Sequence, residues 1–190
     1  MCDEDLWTDM VPDLAALGRL HYGNVYEDST LDGMARRVLD SSPERFVLVG
    51  FSMGGFVARV LSLMAPERVD AAWPSSPRPR AATPRKKTRA APEAALGRAA
   101  VRRAPASGAP GLHPDRESDP VLIGRLRGMQ QRLGREVRAR QAALVRRDGY
   151  ADLERIACPS LVVACRQDRL RSFAETERMA QPPAARAASR

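Results

Sequence analysis

An α/β fold built on a parallel sheet is predicted by three features of the sequence. The short apolar run Phe46 to Val49 reads as a strand buried on both faces. It passes through Gly50-Phe51-Ser52-Met53-Gly54 directly into a helical pattern of Phe56, Val57, Val60, Leu61 and Met64. Upstream, helix and strand patterns alternate, and such alternation implies parallel strands with helices on both faces.

Met1 to Leu17 opens with acids and then places Leu6, Trp7, Met10, Val11, Leu14 and Leu17 at helical spacing. An amphipathic helix is predicted, with Asp3, Glu4 and Asp5 at its positive end and Gly18 as its stop. A metal site built from those acids is the lesser reading. Arg19 to Val25 is predicted as a strand, with His21 packing or hydrogen-bonding within it. Ser29-Thr30 should start a helix carrying Leu31, Met34, Ala35, Val38 and Leu39, which Pro43 breaks before the central strand.

At the centre, Gly-x-Ser-x-Gly lies between a strand and a helix, the context of a nucleophile elbow. So sharp a turn asks for residues without side chains, here Gly50 and Gly54. Ser52 would stand clear at the carboxyl end of the sheet, and the Met53 N–H at the helix start could help to hold an oxyanion. The plainer alternative is a glycine-rich turn with an incidental serine.

Gly50-Phe51-Ser52-Met53-Gly54-Gly55, with the Ala65-Pro66-Glu67-Arg68-Val69 that ends the next helix, resembles the α/β-hydrolase family, in particular its small bacterial esterase-like and lactonase-like members. Cys2-Asp3-Glu4-Asp5-Leu6-Trp7 is similar to the segment just after that family's oxyanion His-Gly loop. The resemblance covers about residues 1 to 72 and 112 to 180. It implies an incomplete parallel-sheet α/β-hydrolase core with a helical cap region, a serine nucleophile at Ser52 and a small-molecule acyl substrate. At 190 residues the chain can hold one domain with a real core, yet is shorter than a complete member of the family.

After Asp70 another buried strand should follow. Ala71-Ala72 begins one, and from Trp73 to Pro110 the apolar periodicity fails. Ala, Pro and Arg make up 27 of the 40 residues from Ala71 to Pro110, a composition that cannot bury enough apolar surface to order itself. The same stretch explains the formal net charge of +8: it holds nine Lys or Arg against the single acid Glu93, leaving 22 bases and 22 acids elsewhere. Phosphate contacts by a basic linker over residues 78 to 103 are one reading. Against nucleic acid, no aromatic residues are interleaved for stacking. The favoured reading is a segment translated in a shifted frame of a GC-rich gene, and order returns near Gly111-Leu112-His113-Pro114.

From Ser118 a long helix is predicted, with an apolar stripe of Val121, Leu122, Leu126, Met129, Leu133, Val137, Leu144 and Val145. The resemblance makes this region a cap. Its arginines read as a solvated face, or one of them as a partner for a substrate carboxylate. His113 reads as a loop histidine.

Ser160 to Ala164 is predicted as a second buried strand, followed by Cys165-Arg166-Gln167-Asp168. An aspartate just past this strand resembles the family's triad acid, which orients the catalytic histidine. The alternatives for Asp168 are a turn aspartate or the N-cap of a helix around Ser172 to Met179. The family often has glycine where Cys165 stands, and no base is placed to activate Cys165 as a nucleophile. The resemblance implies a histidine later still; the two histidines, His21 and His113, both precede Asp168. Residues 181 to 190 repeat the Ala/Pro/Arg composition, as a second shifted frame or a disordered tail would.

The expected organisation is an N-terminal core part with the elbow over 1–72, a basic irregular segment over 73–111, a helical cap over 112–150, a C-terminal core part over 151–180 and a tail over 181–190. Cys2, Cys158 and Cys165 form no ligand pair, so neither metal nor other cofactor is called for. An odd cysteine count without a signal-like segment predicts a reducing, cytoplasmic setting, and no apolar run is long enough to span a membrane. Three functions follow: a serine hydrolase acting on an ester, lactone or similar acyl bond, a catalytically inactive remnant lacking its histidine, and a nucleic-acid-binding module.

Overall fold

The computed structural model describes residues 1–75, 112–145, 149–170 and 173–180. Most of the basic segment and the final ten residues lie outside the described residues. A 3₁₀ segment, Glu4–Met10, leads into α1, Val11–Leu17. α2 is Leu31–Ser41, β1 Phe46–Phe51, α3 Met53–Met64 and β2 Val69–Ser75. After the basic segment come α4, Pro120–Ala143, then α5, Tyr150–Leu153, and α6, Phe173–Ala180.

The opening helix is thus split. Asp3 caps the 3₁₀ segment by accepting the Asp5 N–H at 3.1 Å, and Pro12 sits in the first turn of α1, where a missing N–H costs nothing. The expected strand over Arg19–Val25 is absent: these residues carry no ladder. Neighbouring carbonyls instead face α4, where the Gln141 side chain donates to Val25 O at 3.2 Å and Arg140 donates to Tyr26 O.

α2 starts as the sequence predicts. Thr30 Oγ1 accepts the Gly33 N–H at 3.0 Å, a cap of the usual kind. The turn into β1 is held by Arg68, whose guanidinium donates to the carbonyls of Ser42, Pro43 and Glu44 at 3.0, 2.6 and 3.0 Å.

β1 and β2 pair in parallel, with Leu48 opposite Ala72 and Phe51 opposite Ser75. Helices α2 and α3 cover one face. Met34, Ala35, Val38, Val57, Leu61, Val69, Ala72 and Leu144 form the core there, and Phe46 and Leu48 pack against it. Met34 and Leu61 are wholly buried, each worth roughly 1.5–3 kcal/mol of transfer free energy. The other face departs from expectation. Val47, Val49 and Phe51 are 59%, 40% and 46% exposed, so β1 is buried on one face and not on both.

β2 also runs further than its sequence suggests, through Trp73, Pro74 and Ser75. In a parallel strand, residues two apart present their backbone groups to the same side. Ala72 N–H donates to Pro159 O and Ala72 O accepts from Leu161 N–H, both at 3.0 Å, away from β1. Pro74 therefore lacks a donor on that outer side and leaves the β1 ladder intact.

The same proline explains a second departure. Ser160–Ala164 is not a buried strand: it makes one parallel bridge, Ser160 with Ala72, and Leu161 and Val163 are exposed. The next bond of such a ladder would need an N–H on residue 74, and proline has none.

α4 begins at Pro120, later than expected. Asp119 caps it by accepting the Val121 and Leu122 N–H groups at 2.9 and 3.2 Å. Gly134, at φ 71°, interrupts it, so the single long helix of the sequence reading is two helical stretches joined at a kink.

Candidate active site

β1 carries the chain to Gly50-Phe51, and α3 takes over at Met53. Ser52, between them, sits at φ 51°, ψ −106° as the N-cap of α3. It is the one residue other than glycine with positive φ among the described residues. Such a backbone is strained by roughly 1–3 kcal/mol and persists only where its surroundings over-determine it. Here they do: β1 is held by its ladder, and α3 is buried along Gly55, Phe56, Val57 and Ala58.

The two glycines of the motif differ. A Cβ on Gly50 would lie 2.6 Å from Gly54 O, 2.7 Å from Gly54 C and 2.9 Å from Gly55 N, all backbone atoms that cannot swing aside. A Cβ on Gly54 would meet nothing within 4 Å. The collision expected of both glycines is confined to Gly50, and Gly54 matters for the close approach of its own backbone. Met53 opens α3, where first-turn N–H groups have no carbonyl a turn earlier and carry partial positive charge.

Asp168 lies beyond the Ser160 bridge. Its N–H donates to Cys165 O at 3.2 Å, and its Oδ1 accepts the Leu170 N–H at 2.7 Å, an exposed Asx turn. β1, β2 and the bridge all run parallel. Ser52 follows the carboxyl end of β1, and Asp168 follows the segment that begins at the Ser160 bridge on the other side of β2, so both chains run toward the same end of the sheet. α6 starts at Phe173, five residues on, so Asp168 is not its N-cap.

The two histidines lie outside the helices and strands. His21 is exposed within the irregular stretch after α1. His113 is the N-cap of a 3₁₀ turn, Pro114–Arg116, with Nδ1 accepting the Asp115 N–H at 3.3 Å. Among the described residues no group of three or more His, Cys, Asp or Glu could hold a metal ion, and no helix is long and apolar enough to cross a membrane.

The alpha/beta hydrolase family profile matches residues 4–190. The chain belongs to the alpha/beta hydrolase family. The match includes residues 73–111 and 181–190, which the motif resemblance leaves outside. Among curated proteins, the pimeloyl-[acyl-carrier protein] methyl ester esterase of Klebsiella pneumoniae (strain 342) is 39% identical over 74 residues, 35% of this chain and 29% of that protein. The proteins of that name from Edwardsiella ictaluri (strain 93-146) and Pectobacterium atrosepticum are 40% and 41% identical over 73 residues, 34% of this chain and 28% and 29% of theirs. The chain spans under a third of the length of these curated relatives.

In this hydrolase-family chain Arg127, Arg135 and Arg138 of α4 are exposed, while Arg125, Arg132 and Arg140 reach other parts of the chain. Arg125 grips Asp9 with two bonds of 2.6 and 3.0 Å. Arg132 grips Asp3 at 2.7 and 3.0 Å and also reaches Asp5 at 2.6 Å. The guanidinium of Arg132 holds the Asp3 carboxyl below the usual carboxylate range, and Arg125 does the same for Asp9. The N-terminal acids thus serve as partners for α4. The signal was available: basic residues seven apart on a helix, and an uncompensated acidic cluster at the start of the chain. Burial pushes the Cys2 thiol up, which argues against thiolate chemistry there.

Proposed function

We propose that this chain is a serine esterase, with Ser52 as nucleophile, the Met53 N–H as an oxyanion donor and Asp168 as the orienting acid. The observation that carries the reading is the backbone of Ser52, held at positive φ between a strand and a helix by the Gly50–Gly54 contact. That strain has a use if the hydroxyl must project from the turn. Ser52 Oγ would attack the ester carbonyl carbon, losing its proton to a base. The carbonyl oxygen becomes an oxyanion at the N-terminus of α3. The C–O bond to the alcohol breaks, the alcohol leaves with a proton, and water then cleaves the acyl-serine. The matched relatives are named for a methyl ester, which supports a carboxylic ester with a small alcohol as leaving group. The expected cap over 112–150, with α4 at its centre, would select the acyl part.

A second reading, a catalytically silent member of the family, is favoured by the histidines: His113 Nδ1 is engaged with the Asp115 N–H, and His21 is exposed outside any element. An activated acetate ester and a methyl ester, assayed with wild type and Ser52→Ala, separate the two. The esterase reading expects Ser52→Ala to lose at least about a thousandfold in kcat. It also expects a fluorophosphonate probe to label wild type alone. Equal, background-level turnover in both proteins sinks the esterase reading and leaves the silent one.

A further inference from the structure

Arg59 is a charged side chain only 4% exposed on the helix that carries Ser52. Burying a guanidinium is costly unless it is paired and well placed. Arg59 lies seven residues after Ser52, two turns or about 10 Å along α3. Its Nε stands 3.4 Å from Asp152 Oδ2, in α5, and its guanidinium carbon is 5.7 Å from the centroid of the Phe56 ring.

The backbone of Gly149 forms one wall of the seat. A Cβ there would lie 1.3 Å from Arg59 Nη1, 2.1 Å from Cζ and 2.8 Å from Nε. Gly149 has φ −118° and ψ 12°, open to any residue, so its missing side chain makes room for the guanidinium and does not serve the turn. The far end of an arginine can usually step aside, but this one is enclosed.

We propose that Arg59 is a positioning residue: seated on the Cβ-less backbone of Gly149 and paired with Asp152, it registers the chain returning from α4 against the elbow helix. The return is anchored first by Leu144 in the core, then by Arg59 at Gly149, then by the Ser160 bridge to β2, and it leads to Asp168. The seat therefore sets where the acid runs relative to Ser52. In its catalytic consequence the proposal rests on the esterase reading above.

The test compares Arg59→Met, Arg59→Lys and Gly149→Ala in the full chain. Gly149→Ala keeps both Arg59 and Ser52 but drives the guanidinium from its seat, and serves should Arg59→Met fold poorly. One readout needs no activity: hydrogen exchange at the Leu153 amide, which donates to Gly149 O at 3.2 Å. Both Arg59→Met and Gly149→Ala should lose protection there, and Arg59→Lys should keep part of it. Combining Arg59→Met with Gly149→Ala should add little, since both remove one contact. On the activated ester, kcat should fall about 10- to 100-fold while KM holds steady. Unchanged protection in both single variants overturns the seat. Lost protection with unchanged kcat in a Ser52-dependent wild type overturns the positioning role. A wild type without Ser52-dependent turnover removes the catalytic consequence together with the esterase reading, while exchange still decides the seat.

Discussion

Two regions of the molecule are held together by different physics. Around Ser52, the block of β1, β2, α2 and α3 is joined by apolar contacts and a parallel ladder. Along α4, where Met129 is the one buried apolar side chain among the described residues, the seam with the N-terminal segment is dominated by ion pairs and side-chain bonds to carbonyls: Arg125 with Asp9, Arg132 with Asp3 and Asp5, Arg140 with Tyr26. Apolar burial is insensitive to salt and to mild acid. Exposed ion pairs are screened by salt and vanish when the carboxylate takes a proton. The elbow is thus built on the part of the chain that solution conditions disturb least, and the segment expected to cover it on the part they disturb most.

The contrast can be broken most severely at Gly50. Gly50→Ala drives a Cβ into the backbone of Gly54 and Gly55, so Ser52 must leave its conformation or the strand must separate from α3. Loss of the cooperative melt is expected, while Gly54→Ala, with open space around it, should melt within a few degrees of wild type. Equal melts for the two variants would refute this account of the elbow. Next comes Leu61→Ala, which empties a fully buried site and should cost about 2–5 kcal/mol in urea unfolding. That loss should be the same at low and high salt.

The smallest effect sharpens the other side of the comparison. Asp3 and Asp9 are held below the ordinary carboxylate range, so protons bind more tightly to the undocked chain. Their contribution is complete above the ordinary value of about 3.9 and is lost as the pH falls through the depressed one. Amide protection in α4 should therefore drop in acid and in high salt, before protection in α3 does. Arg125→Gln with Arg132→Gln should remove that early step. An α4 that opens together with α3 under all conditions would mean that the seam is apolar after all.

Much of the elbow was legible in the sequence because its determinants are local. A strand run, five residues with glycines at fixed places and a helical pattern lie within twenty residues, and each is read without knowing what surrounds it. The cap of α2 at Thr30 and its stop before Pro43 were legible for the same reason. The irregular course of Arg19–Val25 was not, because its neighbouring carbonyls turn to Arg140 and Gln141, more than a hundred residues away. Nor was the partnership of Arg132 with Asp3, in which a helix-end acid cluster and a solvated basic face were each reasonable when read alone.

By itself, then, the sequence determined where the turn at Ser52 falls, which helix follows it, and that helices must pack on a parallel sheet. Periodicity and turn chemistry act over a few residues and hold in any context. Tertiary structure alone decided that β1 is covered on one face, that Pro74 limits the Ser160 segment to a single bridge, and that Arg59 finds its seat at Gly149. Each of these depends on which distant backbone or charge arrives alongside, and that is set by the packing of the whole chain.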